Sequence, residues 1–262
     1  MQPFHLHLPK AEPCPIVASI PHSGLQIPAD MVQALRPRYQ TYLPHQDWHL
    51  DKLYDFLPDL GITVLEATYS RYVVDLNRSA RKPLFGSFWS SVIPEKTAFN
   101  VSLYQSRPSE TDIKNRVEHF YQPYHLQLAR LLKQAIAQFG HVYLLDLHSF
   151  AGPITDDVCL GNVNDKSCSE FLISTVESAF ANGGYQVVRN KVFNGGYITR
   201  HYGSMHDVEA LQIEVRYPVY LAPKQLDIAA VPDWNVQAFH HTKPKFEAIF
   251  KAIVGAFSVP YQ

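Results

Sequence analysis

The sequence predicts an α/β fold: a three-layer domain with a mostly parallel or mixed central sheet. Three observations carry this. Short, β-prone apolar runs recur along the chain, stretches of helical periodicity fill the gaps between them, and no internal repeat or low-complexity tract interrupts the pattern. At 262 residues, such a chain is most simply one domain spanning 1–262.

Taken in order, residues 16–20 form a short β-prone run that stops at Pro21. Trp48 to Leu57 can hold a helix, with Asp47 placed to cap its N-terminus. Residues 62–66 and 72–75 read as strands. Residues 78–107 carry Pro, Gly, Ser and aromatics without clear periodicity; a stretch of that length without regular structure is usually functional. From Thr111 to Phe139, apolar residues return every three to four positions. Ser109 and Asp112 cap that helix, Pro123 kinks or divides it, and Gly140 ends it. Residues 142–147 and 211–215 are near-continuous apolar runs, the mark of strands covered on both faces, and 185–188 is a further strand. Helices are predicted at 169–181 and, after Pro244, at 245–257.

Composition excludes several function classes. Charged residues are 18% of the chain and the formal net charge is -1, so no basic surplus points to nucleic acid or to an acidic membrane. No run approaches the roughly 20 apolar residues that span a bilayer, and the N-terminus lacks a secretory pattern, so a cytoplasmic location is expected by default. Cys14, Cys159 and Cys168 have no paired spacing, which supports neither a disulfide framework nor a thiolate zinc site. No coiled-coil repeat indicates an oligomeric partner.

Chemistry concentrates at strand ends, where α/β folds place their active sites. His22 follows the first run and His148 closes the run beginning at Val142; each is followed by serine. Either histidine alone is consistent with an ordinary hydrogen-bonding role. Together they suit a metal, because neutral imidazole is a good zinc ligand and its second nitrogen takes an orienting partner. Asp146 shares a strand side with His148 and can orient it. No acid follows His22 by three or four residues, so the third ligand is sought at Asp47 or, one turn on, at Asp51. Asp47 is preferred because a helix start lies near the loops of the sheet. Glu214, between Ile213 and Val215, is either an ion-pair partner of an arginine such as Arg216 or a general base whose pKa burial raises. Arg71, Arg78, Arg81, Arg200 and Arg216 offer guanidinium groups that match carboxylates, which suggests a small anionic substrate. The segment Gly195 to Gly203 reads as a loop over the site, with Thr199, Arg200 or His201 as donors to substrate. Gly-x-Ser-x-Gly and His-Glu-x-x-His are both absent.

Pro21-His22-Ser23-Gly24, Asp47-Trp48-His49-Leu50-Asp51, Ser70 through Arg78, Asp146-Leu147-His148-Ser149, the segment Gly195 to Gly203 and Gln212-Ile213-Glu214 together resemble the N-formylglutamate amidohydrolase family. The resemblance implies zinc-dependent cleavage of N-formyl-L-glutamate to formate and L-glutamate, the last step of one bacterial route of histidine breakdown. It also implies a zinc-carboxypeptidase-like (phosphorylase/hydrolase-like) fold. Under it, His22, Asp47 and His148 hold one zinc ion and Glu214 is the base. Arg71 stabilises the oxyanion, Arg78 and Arg200 hold the two carboxylates, and Asn77, Thr199 and His201 complete substrate binding. Zinc carboxypeptidases place a glutamate shortly after their first histidine, and this chain has none there. Two alternatives fit the same residues: a deacylase or carboxypeptidase acting on another N-acyl amino acid, and a non-catalytic ligand-binding protein on the same scaffold.

Overall fold

The computed structural model describes residues 2–81, 83–152, 155–223 and 230–257. Its centre is a mixed seven-stranded sheet. Four strands run parallel: β2 (Ile16–Ile20), β3 (Thr63–Ala67), β6 (Val142–Phe150) and β9 (Val208–Arg216). On one side β1 (Phe4–His7) pairs antiparallel with β3. On the other, β7 (Val158–Gly161) runs antiparallel to β9 and carries β8 (Val187–Arg189) parallel to itself. The order is β1-β3-β2-β6-β9-β7-β8. Helices cover both faces, so the layered α/β architecture with a mixed sheet is as expected.

Side chains alternate across a strand, and this explains how a fully buried run can still build a polar site. Tyr143, Leu145 and Leu147 of β6 face the core shared with α5 (Glu170–Asn182) and α7 (Gln237–Phe257), where Leu172, Val176, Phe180, Phe246 and Phe250 pack. Each fully buried Leu or Phe there stabilises the fold by about 1.5–3 kcal/mol. Val142 and Leu144 face the opposite core, against Tyr124, Leu128 and Leu132 of α4 (Gln122–Phe139). Continuing along that second face, the next residues are Asp146 and His148. On β9, Ala210 lies on this face and is followed by Gln212 and Glu214. Both strands are therefore apolar at their beginnings and polar at their carboxyl ends. The register sets His148 beside Glu214 and Asp146 beside Gln212.

Several helical predictions hold in detail. Ser109 and Asp112 form a reciprocal capping box at α3 (Glu110–Arg116). Between α3 and α4 lies one π turn, Val117–Tyr121, and Pro123 follows it directly as the second residue of α4, so the helix is divided where the proline is expected to act. Gly140 ends α4 with a left-handed φ of 82°. Pro244 lies inside α7 rather than before it.

Other elements differ from expectation. Residues 72–75 form a turn, not a strand, and their polar groups serve the site described below. The segment Gly195 to Gly203 holds a short helix, α6 (Tyr197–Tyr202), because Ile198, Thr199 and Tyr202 bury one of its faces. The helix predicted at 48–57 shrinks to α2 (Leu50–Leu53). Its N-cap is His49, left-handed at φ 57° and without a side-chain cap, so Asp47 is released from capping. Among the described residues of 78–107, regular structure is limited to the two-residue strands β4 (Phe85–Gly86) and β5 (Ile93–Pro94) and isolated bridges. The described chain also holds α1 (Ala29–Ala34) and 3-10 turns at Pro37–Tyr39, Leu57–Leu60 and Tyr217–Val219. Among the described residues, no helix is long and apolar enough to cross a membrane.

Candidate active site

The chain leaving β2 must press against the exit of β3 to reach the centre of the molecule. A Cβ at Gly24 would lie 2.5 Å from the Thr68 carbonyl carbon and 2.6 Å from the oxygens of Ala67 and Tyr69, so glycine is required there. This close approach sets His22 beyond the carboxyl end of the sheet, with its ring 4.8 Å from that of His148.

Asp47 joins them from a strained segment. His45 and His49, on either side, both adopt left-handed φ values of 57°, a conformation costing a non-glycine residue about 1–3 kcal/mol. Two tyrosines hold the segment in place. Tyr217 donates to the Gln46 carbonyl at 2.5 Å, and Tyr220 donates to the Trp48 carbonyl at 2.9 Å. The carboxylate of Asp47 then lies 2.9 Å from His148 Nδ1, accepts the Ser149 amide at 3.1 Å and sits 3.6 Å from His22 Nδ1. One ligand atom from each of His22, Asp47 and His148 lies within 4.8 Å of the others, and all three residues are buried. Asp51, the other candidate, faces Lys52 instead at 3.5 Å.

Each histidine is oriented from behind by an aspartate. His22 Nε2 donates to Asp75 Oδ1 at 2.8 Å, which leaves Nδ1 buried and without a hydrogen-bond partner among the described residues. His148 Nε2 lies 3.1 Å from Asp146 Oδ2, as its position on the strand predicts. Asp75 also takes the Arg71 guanidinium at 2.7 Å. Burial alone would raise the Asp75 carboxyl, but Arg71, His22 and Arg78 hold it well below the ordinary range. Asp47 is likewise held low against burial, by His22 and His148. His148 is raised well above an ordinary histidine despite its burial, because Asp146 and Asp47 flank it.

Glu214 is pushed up to about 8, chiefly by burial and against the pull of His148. Its Oε1 accepts from Gln212 Nε2 at 2.7 Å, and Gln212 Oε1 accepts the Gly196 amide at 2.5 Å. It does not pair with Arg216, which reaches Asp157 at 3.6 Å.

This donor set fits a divalent cation. One ligand atom from each of His22, Asp47 and His148 can reach a shared point, and the His22 nitrogen facing Asp47 is buried without a hydrogen-bond partner among the described residues. Two imidazoles with one carboxylate are suitable zinc ligands. A cavity of about 710 Å³ opens onto these groups; His22, Asp47, Arg71, Asn77, Arg78, His148 and Glu214 all line it.

Residues 14–221 match the family model described as N-formylglutamate amidohydrolase. The chain belongs to the N-formylglutamate amidohydrolase family. N-formylglutamate deformylase of Pseudomonas putida is 36% identical over 219 residues, covering 79% of this chain and 82% of that protein. Its counterpart in Pseudomonas aeruginosa is 34% identical over 223 residues, with the same coverage. Among solved structures, N-formylglutamate amidohydrolase from Ralstonia eutropha JMP134 superposes with a TM-score of 0.81 at 25% identity, covering 98% of each chain. A gene product of Agrobacterium tumefaciens shares the fold, with a TM-score of 0.73 at 16% identity over 97% of this chain and 96% of that one.

Within this N-formylglutamate amidohydrolase family member, the predicted residues separate into two groups. His22, Asp47, Arg71, Asn77, Arg78, His148 and Glu214 converge on the cavity. Asn77 contributes mainly as a brace: its Nδ2 lies 3.0 Å from His148 Nε2 and its Oδ1 accepts the Ile198 amide at 2.8 Å. Thr199, Arg200 and His201 do not line the cavity, because helix α6 turns them elsewhere. Thr199 is fully buried and bonds Asp146 at 3.3 Å. Arg200 is exposed and donates to the Gly195 carbonyl and to Asn194 Oδ1. His201, also exposed, stacks on Tyr197. Sequence reasoning gave Asp75 no histidine-orienting role and Gln212 no role toward Glu214, and it missed His45 and the tyrosine pair outright. The Asp75-x-Asn77-Arg78 cluster of polar residues after an apolar run was the available signal for the first of these.

Proposed function

We propose that this chain is a zinc-dependent amide hydrolase that cleaves N-formyl-L-glutamate to formate and L-glutamate. The observation that carries the reading is the buried His22, Asp47 and His148 triplet with Glu214 beside His148 on the adjacent strand. The two Pseudomonas relatives, named N-formylglutamate deformylase, support the substrate.

His22, Asp47 and His148 would hold one zinc ion. When bound, zinc supplies Lewis acidity and lowers the pKa of water. Asp75 and Asp146 fix the imidazole orientations and so keep one nitrogen of each ring available. Glu214 takes a proton from the attacking water and delivers it to the amide nitrogen as the C–N bond breaks. An upward-shifted carboxyl suits both halves of that transfer. Arg71, held charged by Asp75 and Asp47 against its burial, stabilises the oxyanion that develops on the formyl carbonyl. Arg78 pairs with the α-carboxylate of the substrate. The substrate is thus a small anionic N-acyl amino acid.

A zinc-supplemented hydrolysis panel with formyl-, acetyl- and succinyl-glutamate beside formyl-aspartate tests the assignment. Formate release from formyl-glutamate, with the acetyl and succinyl compounds intact, is the expected result. No formate from formyl-glutamate by zinc-loaded protein would overturn it.

A further inference from the structure

A dicarboxylate held at both ends needs two guanidinium groups free to receive it. Among the described residues, Arg71 and Arg78 are the two that line the cavity. Arg71 is already committed: Asp75 lies at 2.7 Å, Asp47 at 3.7 Å, and its guanidinium rests 4.5 Å from the centre of the Phe88 ring. Arg78 is the freer group. It donates one N–H to the neighbouring Asn77 carbonyl and stands 4.0 Å from Asp75. Arg200, which would hold the second carboxylate, does not itself line the cavity and is spent on the Gly195 carbonyl and Asn194 Oδ1 in its wall.

The mouth of the same cavity is apolar. Phe99 is 77% exposed, Trp89 60% and Val192 45%, and Phe150 packs edge-on against Phe193 just inside, with ring centres 5.2 Å apart. The two exposed aromatics are held rather than loose. Trp89 donates its indole N–H to the Ala98 carbonyl at 3.3 Å, and Phe99 packs edge-on against His45 at 4.9 Å. Exposed apolar side chains gathered at one opening mark a binding surface, since water makes such a cluster costly. A volume of about 710 Å³ is also of the size that accepts ligands much larger than a formyl group and a short side chain.

We infer that the site also hydrolyses N-formyl L-amino acids with a large apolar side chain, the single carboxylate on Arg78 and the side chain against Trp89, Phe99 and Val192. This rests on the hydrolase reading above and extends its substrate class. The chemistry is unchanged: water adds to the formyl carbon, the C–N bond breaks, the nitrogen takes the proton, and formate and the free amino acid leave.

The test compares kcat/KM for formyl-phenylalanine and formyl-glutamate on zinc-loaded protein, in the native chain and in a Trp89→Ala, Phe99→Ala double variant. The expected result is formyl-phenylalanine within about 10-fold of formyl-glutamate, and a ratio between the two that falls about 10-fold further in the double variant. A wider gap in the native chain, or a ratio the double variant leaves unmoved, would overturn the inference while the formyl-glutamate reading stands. Absence of formate from both substrates would instead remove the hydrolase reading and this extension together.

Discussion

His22 Nε2 donates to Asp75 Oδ1 at 2.8 Å, and this bond decides which nitrogen of His22 is left to face Asp47. A fixed tautomer and a fixed ring angle together make an imidazole a stronger ligand. Asp75→Asn is therefore expected to weaken zinc binding by about 10–100-fold, read by competition against a chelator of known affinity. Unchanged affinity would restrict Asp75 to its ion pair with Arg71.

The third ligand is tested by a pair of variants. Asp47→Ala is expected to lower bound zinc well below one ion per chain, measured by elemental analysis after dialysis. Asp51→Ala, whose carboxylate faces Lys52, is expected to keep its zinc. The reverse pattern would move the ligand to Asp51.

Arg78→Ala is expected to reduce kcat/KM for formyl-glutamate by about 100-fold, mainly through KM, with zinc content unchanged. Arg78→Lys should recover part of the loss, since it restores charge without the planar fork. A fall confined to kcat would point to a role in the chemical step instead.

Burial raises the Glu214 carboxyl from 4.5 to about 8, so the folded chain keeps a proton there that the unfolded chain releases near pH 4.5. The stabilising share of this group is complete below pH 4.5 and is lost as the pH rises through about 8. In chelator-treated protein, Glu214→Gln is expected to change Tm little at pH 5 and to raise it relative to the native chain at pH 9. Parallel Tm profiles across that range would show that Glu214 ionises without cost to the fold.

Much of the fold is legible in the sequence because β2, β6 and β9 are buried on both faces and so read as plain apolar runs. The edge strand β1 is harder to see: in Phe4–His7 only Phe4 is partly buried, which leaves little hydrophobic pattern. His22, His148 and Glu214 stand out because each is a polar residue at or near the end of an apolar run. Asp47 was ambiguous, since a polar residue before a helix reads equally well as a cap; its release depends on Tyr217 and Tyr220, some 170 residues later. Asp75 was hidden in a segment whose Tyr72-Val73-Val74 composition favours a strand, although tertiary packing bends it into a turn. The glycines around Thr199 and Arg200 suggested a loop, but the buried face formed by Ile198, Thr199 and Tyr202 makes a helix of it.

The central claim, a zinc held by His22, Asp47 and His148 with Glu214 as base, is tested most directly by Glu214→Gln assayed for formate release and zinc content on one sample. The account predicts about one zinc per chain and a kcat lowered by about 10²–10⁴-fold. Near-native turnover with zinc in place would contradict it.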